Sequence, residues 1–202
     1  ERQFDTAYHE HYSYLSLTAV RAIFAANGLV VFDVATTPWH GGSLRVFAAR
    51  ADAQTRPVQA SVDSMIATEE KAGIRTQSFY TEFQREAGKV RDDFVSYLIE
   101  CHRQGLKVAA YGAAAKGNTL LNFAGIKPDL MAFVVDKNPA KQGLYLPGSR
   151  IPIVDETRLK AEKPDRVVIL PWNIQSEIIK QLSYISDWGG KFVTAVPSLT
   201  EH

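Results

Sequence analysis

Lys107-Val108-Ala109-Ala110-Tyr111-Gly112-Ala113-Ala114-Ala115-Lys116-Gly117-Asn118 decides the fold. Residues 107–111 are a short, mostly apolar run of the kind that forms a buried strand, and a helical pattern follows at 116–124. Gly112 lets the backbone turn sharply between the two, and the alanines keep side chains out of the way. In an open α/β sheet this is where phosphate binds, because main-chain N–H groups at the helix start point at an anion. Lys116 adds a point charge and Asn118 a hydrogen-bond donor. Gly112, Ala114 and Gly117 occupy the glycine positions of G-x-G-x-x-G, with alanine in the second, while the Gly-Lys-Ser/Thr of a P-loop is missing. Gly112, Ala113, Ala114, Lys116, Gly117 and Asn118 are therefore the candidate ligand contacts. A tight strand-to-helix turn without a ligand would carry the same local signature.

Alternation continues downstream. Strands are expected at 131–135, 167–170 and 192–196, helices at 174–186 and near 156–162, and a short extended piece at 151–154. Strands alternating with helices build a parallel sheet with helices on both faces, so 106–202 is expected to form a Rossmann-like domain. The second strand ends in Asp136, about twenty residues on, where a ribose-binding acid sits in such domains. Asp136-Lys137-Asn138-Pro139 also reads as a simple turn.

Upstream, residues 51–105 read as a helical section. Pro57 opens it, and Phe83, Val90, Phe94, Tyr97, Leu98 and Cys101 line the apolar side of a long helix over 79–103 that Gly105 ends. Residues 1–50 hold a helix at 17–26, capped by Ser16 and stopped by Asn27-Gly28, then two strands, 29–34 and 44–48, joined as a hairpin through Gly41-Gly42-Ser43. The fold class is α/β: a Rossmann-like parallel sheet with flanking helices, preceded by a helix plus β-hairpin and a helical section.

Composition narrows the function. The 23 basic and 22 acidic residues leave a net charge of +1, without the basic excess of a nucleic-acid binder. No apolar run reaches the ~20 residues that span a bilayer, and no secretory signal opens the chain, so the expected compartment is the cytoplasm and no membrane partner is expected. The single cysteine, Cys101, excludes an internal disulfide and a Cys-rich zinc site, and reads as a small buried hydrophobe.

Tyr8-His9-Glu10-His11-Tyr12-Ser13-Tyr14 packs three tyrosines, two histidines and a glutamate into seven residues. Histidine exchanges protons near neutral pH, a carboxylate can orient it, and a tyrosine hydroxyl can stabilise an oxyanion. The set suits proton abstraction next to a carbonyl. A zinc site competes weakly, since His9 and His11 lack the His-Glu-x-x-His spacing; no metal is expected. A polar-aromatic loop packed on a neighbour is the third reading.

Together Tyr8-His9-Glu10-His11-Tyr12-Ser13-Tyr14-Leu15-Ser16, His40-Gly41-Gly42-Ser43-Leu44-Arg45-Val46 and Tyr111-Gly112-Ala113-Ala114-Ala115-Lys116-Gly117-Asn118-Thr119-Leu120-Leu121 resemble the S-adenosylmethionine-dependent sugar C-methyltransferases. The likeness covers nearly the whole chain. In that family a zinc module, a methyl-donor domain and a Rossmann-like domain follow in order, and the carbon beside the ketone of a nucleotide-linked 4-keto-deoxysugar is methylated. The resemblance implies that His11 is the general base, that Tyr8 and Glu10 are its catalytic neighbours, and that Lys116 and the glycine loop hold the nucleotide phosphates. It assigns no role to His40 or Arg45.

The cysteines of the zinc module and the glycine-rich donor-binding strand have no counterpart in these residues. The resemblance therefore implies that 1–50 is the tail of a methyl-donor domain, and that this chain alone neither binds S-adenosylmethionine nor turns over. The hairpin 29–49, cut from a larger sheet, is expected to pack on the helical section or on a second copy. An NAD(P)- or nucleotide-dependent oxidoreductase domain would use the same glycine loop and Asp136 but leaves Tyr8 to His11 unexplained. A non-catalytic binding module is the remaining alternative.

Overall fold

The computed structural model describes residues 3–53 and 55–202, and the side chain of His40 lies outside the described residues. The chain divides into two compact units. One comprises the residues up to His11 together with Arg85–His202; the other is Tyr12–Gln84. The division differs from the three sections expected from sequence, because the segment carrying His11 belongs with the sheet of the C-terminal part.

That sheet has six strands, ordered β5-β4-β3-β6-β7-β8: β3 (Val108–Tyr111), β4 (Val134–Val135), β5 (Ile153–Val154), β6 (Arg166–Ile169), β7 (Lys191–Thr194) and β8 (Thr200–Glu201). The first five are parallel, and β8 returns antiparallel to β7. Because β3 is buried on both faces, its side chains divide by the two-residue period. Val108 and Ala110 pack with Phe94, Leu98 and Cys101 of α3 (Gln77–Arg103) and Leu120 and Leu121 of α4 (Ala115–Phe123). Ala109 and Tyr111 pack with Leu159 of α5 (Thr157–Glu162) and with Ile178 of α6 (Gln175–Gln181). Helices thus cover both faces, as the alternating pattern requires. Cys101 is a buried thiol in the first layer, and that burial raises its pKa.

Several boundaries differ from expectation. Of 131–135 only Val134 and Val135 are strand, because Leu130 and Met131 turn back to donate to the Lys127 carbonyl. The helix expected over 174–186 stops at Gln181 and continues as a 3₁₀ helix, Ser183–Trp188. The chain runs from β3 outward through β4 and β5, then crosses back to β6 on the other side of β3. This reversal opens the crevice at the carboxyl ends of β3 and β6 where such sheets bind ligands.

In the second unit, α1 (Leu17–Ala26) leads into an antiparallel hairpin of β1 (Leu29–Thr37) and β2 (Ser43–Arg50), followed by α2 (Ala60–Lys71). Leu17, Val31, Val34 and Val62 form its small core, with Phe24, Val46, Met65 and Ile66 packed around them, so one hairpin face lies against both helices. Ser16 caps α1 by accepting from Ala19 N, as expected. Glu69 of α2 accepts from Leu17 N at 2.7 Å and Thr18 N at 2.8 Å, adding a second cap that ties the two helices together.

Candidate substrate site

The glycine loop joins β3 to α4 with Gly112 at φ +90°. Its amide donates to the Val135 carbonyl at 2.7 Å, and a Cβ on it would lie 2.6 Å from Cδ of Pro171, just beyond β6. Gly117 answers a similar demand in the first turn of α4, where a Cβ would meet Leu170 at 2.6 Å. Both glycines therefore let the loop and helix sit tightly against the end of β6. Ala114 is the N-cap of α4 and gives no side-chain cap. Ala114 N donates to the Gly112 carbonyl at 2.8 Å and Asn118 N to the Ala114 carbonyl at 3.0 Å; a helix start of this kind is where anions usually bind.

Asp136 does not stand open at the end of β4. Its Oδ2 accepts from Ala113 N at 2.8 Å and lies 3.3 Å from Lys141 Nζ, while Oδ1 accepts from Asn138 N at 2.8 Å. Lys141, which sequence reading missed, also donates to the Ala113 carbonyl at 2.8 Å. The acid and its lysine hold the glycine loop by its main chain. The turn reading of Asp136-Lys137-Asn138 describes the local geometry.

Lys116 is only 7% exposed. Its Nζ lies 5.0 Å from the centre of the Trp172 ring, in cation–π geometry. Trp172 Nε1 donates at 2.6 Å to Oδ2 of Asp5, a residue 1% exposed. Burial pushes the Asp5 carboxyl above its usual range, opposed by the indole hydrogen bond and by the Lys116 charge. Asn118, at the start of α4, has a buried Oδ1 with no hydrogen-bond partner among the described residues.

The same helix carries the His-Glu-His segment. Phe4–Thr6 forms a 3₁₀ turn whose Phe4 ring lies 5.2 Å from that of Phe123, and Thr119 Oγ1 donates to the Ala7 carbonyl at 3.0 Å. The chain then turns, His11 N donating to the Tyr8 carbonyl at 3.0 Å, and the Tyr8 and His11 rings lie 4.2 Å apart. His11 Nδ1 is 2.8 Å from the Thr6 carbonyl. A carbonyl only accepts, so Nδ1 carries the proton and, in the neutral ring, Nε2 carries the lone pair. Glu10 is highly exposed and lies 3.9 Å from His9. The group that orients His11 is thus the Thr6 carbonyl, a contact with no side-chain signature. Asp5, Thr119 and Trp172 were likewise not singled out from sequence.

Arg45 lies on β2, opposite Ala35, in the other unit. Concavities of about 580 Å³ beside the hairpin, lined by Phe32, Phe47 and Arg56, and of about 180 Å³ at the amino end of β3 include none of these groups in their lining. Neither gathers a base with an anion-binding turn. Among the described residues no three His, Cys, Asp or Glu side chains are grouped to hold a metal, and no helix is long and apolar enough to cross a membrane.

The fold is a Rossmann-like α/β domain with an imidazole-bearing segment fastened to the helix of its glycine loop. Residues 38–197 match the C-methyltransferase C-terminal domain, and the chain belongs to that family of methyltransferases. It is 39% identical over 197 residues to C-methyltransferase NovU of Streptomyces niveus, an alignment that takes in 96% of this chain and 46% of the relative. The chain thus spans about half the length of that relative.

Proposed function

We propose that this chain is the substrate half of a C-methyltransferase acting in the cytoplasm on a nucleotide-linked 4-keto-deoxysugar, with His11 as the base that removes the proton beside the ketone. The observation that carries the reading is the seating of the His11 segment on α4 through Thr119 and the Ala7 carbonyl, so two motifs far apart in sequence share one helix. The start of α4 offers backbone amides, Lys116 and Asn118 for the diphosphate. With its phosphates there, the sugar is presented to the imidazole by position alone, which supplies much of the rate in such reactions. The ketone acidifies the neighbouring C–H bond; Nε2 of His11 takes the proton, and the electron pair moves onto the ketone oxygen as an enolate. Tyr8, whose ring lies tilted 4.2 Å from that of His11, is the donor proposed to steady that oxygen. Glu10, exposed beside His9, contributes negative charge nearby.

S-adenosylmethionine is the donor implied by the family likeness. The described residues do not fit it. The glycine loop after β3 is internally packed on Pro171 and held by Asp136, and β1 of the second unit turns into β2 rather than into a helix. The chemistry assigned to this chain therefore ends at the enolate.

Proton removal can be followed without a methyl donor. In deuterated buffer, a nucleoside diphosphate-linked 4-keto-6-deoxysugar should gain one deuterium beside its ketone in the presence of the protein, read by mass spectrometry, and His11→Ala should reduce the rate to that of buffer. Exchange that survives His11→Ala, or that never exceeds buffer, defeats the proposal.

A further inference from the structure

Asp5 is unusual among the groups of this site. It is 1% exposed, its Oδ2 accepts the Trp172 indole N–H at 2.6 Å, and its Oδ1 is buried with no hydrogen-bond partner among the described residues. A half-satisfied buried carboxylate costs free energy, and an apolar side chain packs the same space more cheaply. Here the cost is offset by the indole and by the Lys116 ammonium, which rests over the other aromatic resource of the same residue, the face of the Trp172 ring. Trp172 therefore meets the Asp5 turn through its edge and the Lys116 cation through its face. Asp5 in turn opens the segment in which the Thr6 carbonyl fixes the His11 tautomer. One side chain on the loop after β6 ties together the phosphate-side lysine and the segment holding the base.

We infer that Asp5 and Trp172 are positioning residues: their hydrogen bond ties the His11 segment to the loop after β6, whose indole carries Lys116 of the glycine-loop helix on its face, so that the imidazole stands in a fixed place relative to the anion site. This rests on the function proposed above, and adds to it two residues that touch neither substrate nor reacting atoms. Rigid placement of a base is worth far more than the bond that provides it, because a displacement of about 1 Å can cost about 100-fold in rate. The effect should therefore fall on proton removal and spare the diphosphate, whose proposed contacts are on α4 itself.

Three variants of the full chain separate this from a role in binding or folding. Trp172→Phe keeps an aromatic face and removes the N–H; Asp5→Ala removes the acceptor; Asp5→Asn keeps an acceptor oxygen for the indole. At saturating keto-sugar, deuterium incorporation should fall about 10- to 100-fold in Trp172→Phe and Asp5→Ala and be largely rescued in Asp5→Asn. Affinity for thymidine diphosphate, by calorimetry, should stay within about twofold throughout. The Nδ1–H resonance of His11, read by NMR without substrate, should be lost to solvent exchange in the first two variants and retained in the third. Unchanged deuterium incorporation, an affinity loss as large as the rate loss, or an undisturbed His11 resonance in Asp5→Ala would each overturn the inference. A wild-type chain that neither exchanges the substrate proton nor binds the diphosphate would instead defeat the proposed function, and the His11 resonance would still decide whether the clamp exists. If a variant unfolds globally, amide exchange at low denaturant decides on the wild type. The Ala7 and His11 amides should then open together with that of Trp172, and earlier opening of the segment would refute the lock.

Discussion

Replacing Gly112 by alanine tests whether its freedom serves packing or a ligand. Two costs add. At φ +90° an L-residue sits in the left-handed region, at about 1–2 kcal/mol. The new methyl would lie 2.6 Å from Cδ and 2.8 Å from Cγ of Pro171, ring atoms that cannot swing away, and overpacking of this kind costs about 1–3 kcal/mol. The total, about 2–5 kcal/mol, is a large part of a domain's net stability. Gly125, at φ +69° with nothing within 4 Å of a built Cβ, supplies the control, because Gly125→Ala carries only the backbone cost. Urea denaturation followed by tryptophan fluorescence in a Trp39→Phe background reports on Trp172 and Trp188, both in the sheet unit. Gly112→Ala should be less stable than Gly125→Ala by about 1–3 kcal/mol, and adding Pro171→Ala should recover that difference as a coupling energy. Equal losses at the two glycines, or no coupling to Pro171, would refute the claim that the glycine is required by the end of β6.

Other expectations follow from the same geometry. Asp136→Ala leaves Ala113 N–H without its acceptor and removes the carboxylate beside Lys141, which keeps its bond to the Ala113 carbonyl, so stability should fall by about 1–3 kcal/mol. Exchange of the Ala113 amide should accelerate more than that of Gly112, which keeps its bond to Val135. At the far edge, Glu201 accepts from Tyr97, Lys191 and Arg166, the Tyr97 hydrogen bond being the largest cause of a carboxyl pKa lowered to about 2. Its folded pKa lies below the unfolded value, so its stabilisation is present above pH ~4.5 and is lost as pH falls toward 2. The side chain is 36% exposed, and screening limits the contribution to about 1 kcal/mol. Glu201→Gln should therefore flatten the acid limb of the stability curve between those pH values, and an unchanged limb would count against the network.

Periodicity made the sheet unit legible. Val108 to Tyr111 bury both faces of one strand, and Phe94, Leu98 and Cys101 recur at helical spacing on α3, so strand and helix followed from residue order alone. What escaped has physical causes. β8 is two residues long, too short for any period to show, and Met131, the first residue of the expected strand at 131–135, is claimed by a turn on Lys127. The Asp5–Trp172 bond spans 167 positions, a separation over which no local pattern speaks. The Thr6 carbonyl that sets the His11 tautomer is main chain, and any residue would supply it. Histidine, lysine and the glycines were found because their chemistry is in the side chain or in its absence.

The internal partners of those residues bear on the choice between functions. A dinucleotide domain uses its first glycine to admit the pyrophosphate backbone and its acid at the second strand to hold a ribose diol. Here Pro171 fills the space beside Gly112, and the Asp136 oxygens are taken by Ala113, Asn138 and Lys141. A nicotinamide cofactor would have to displace both. In the function proposed above, the anion instead lies at the start of α4, and His11, held by Thr6 on a segment fastened to that same helix, takes a proton from a C–H acid. The packing that weakens the oxidoreductase reading is therefore the packing that favours proton abstraction.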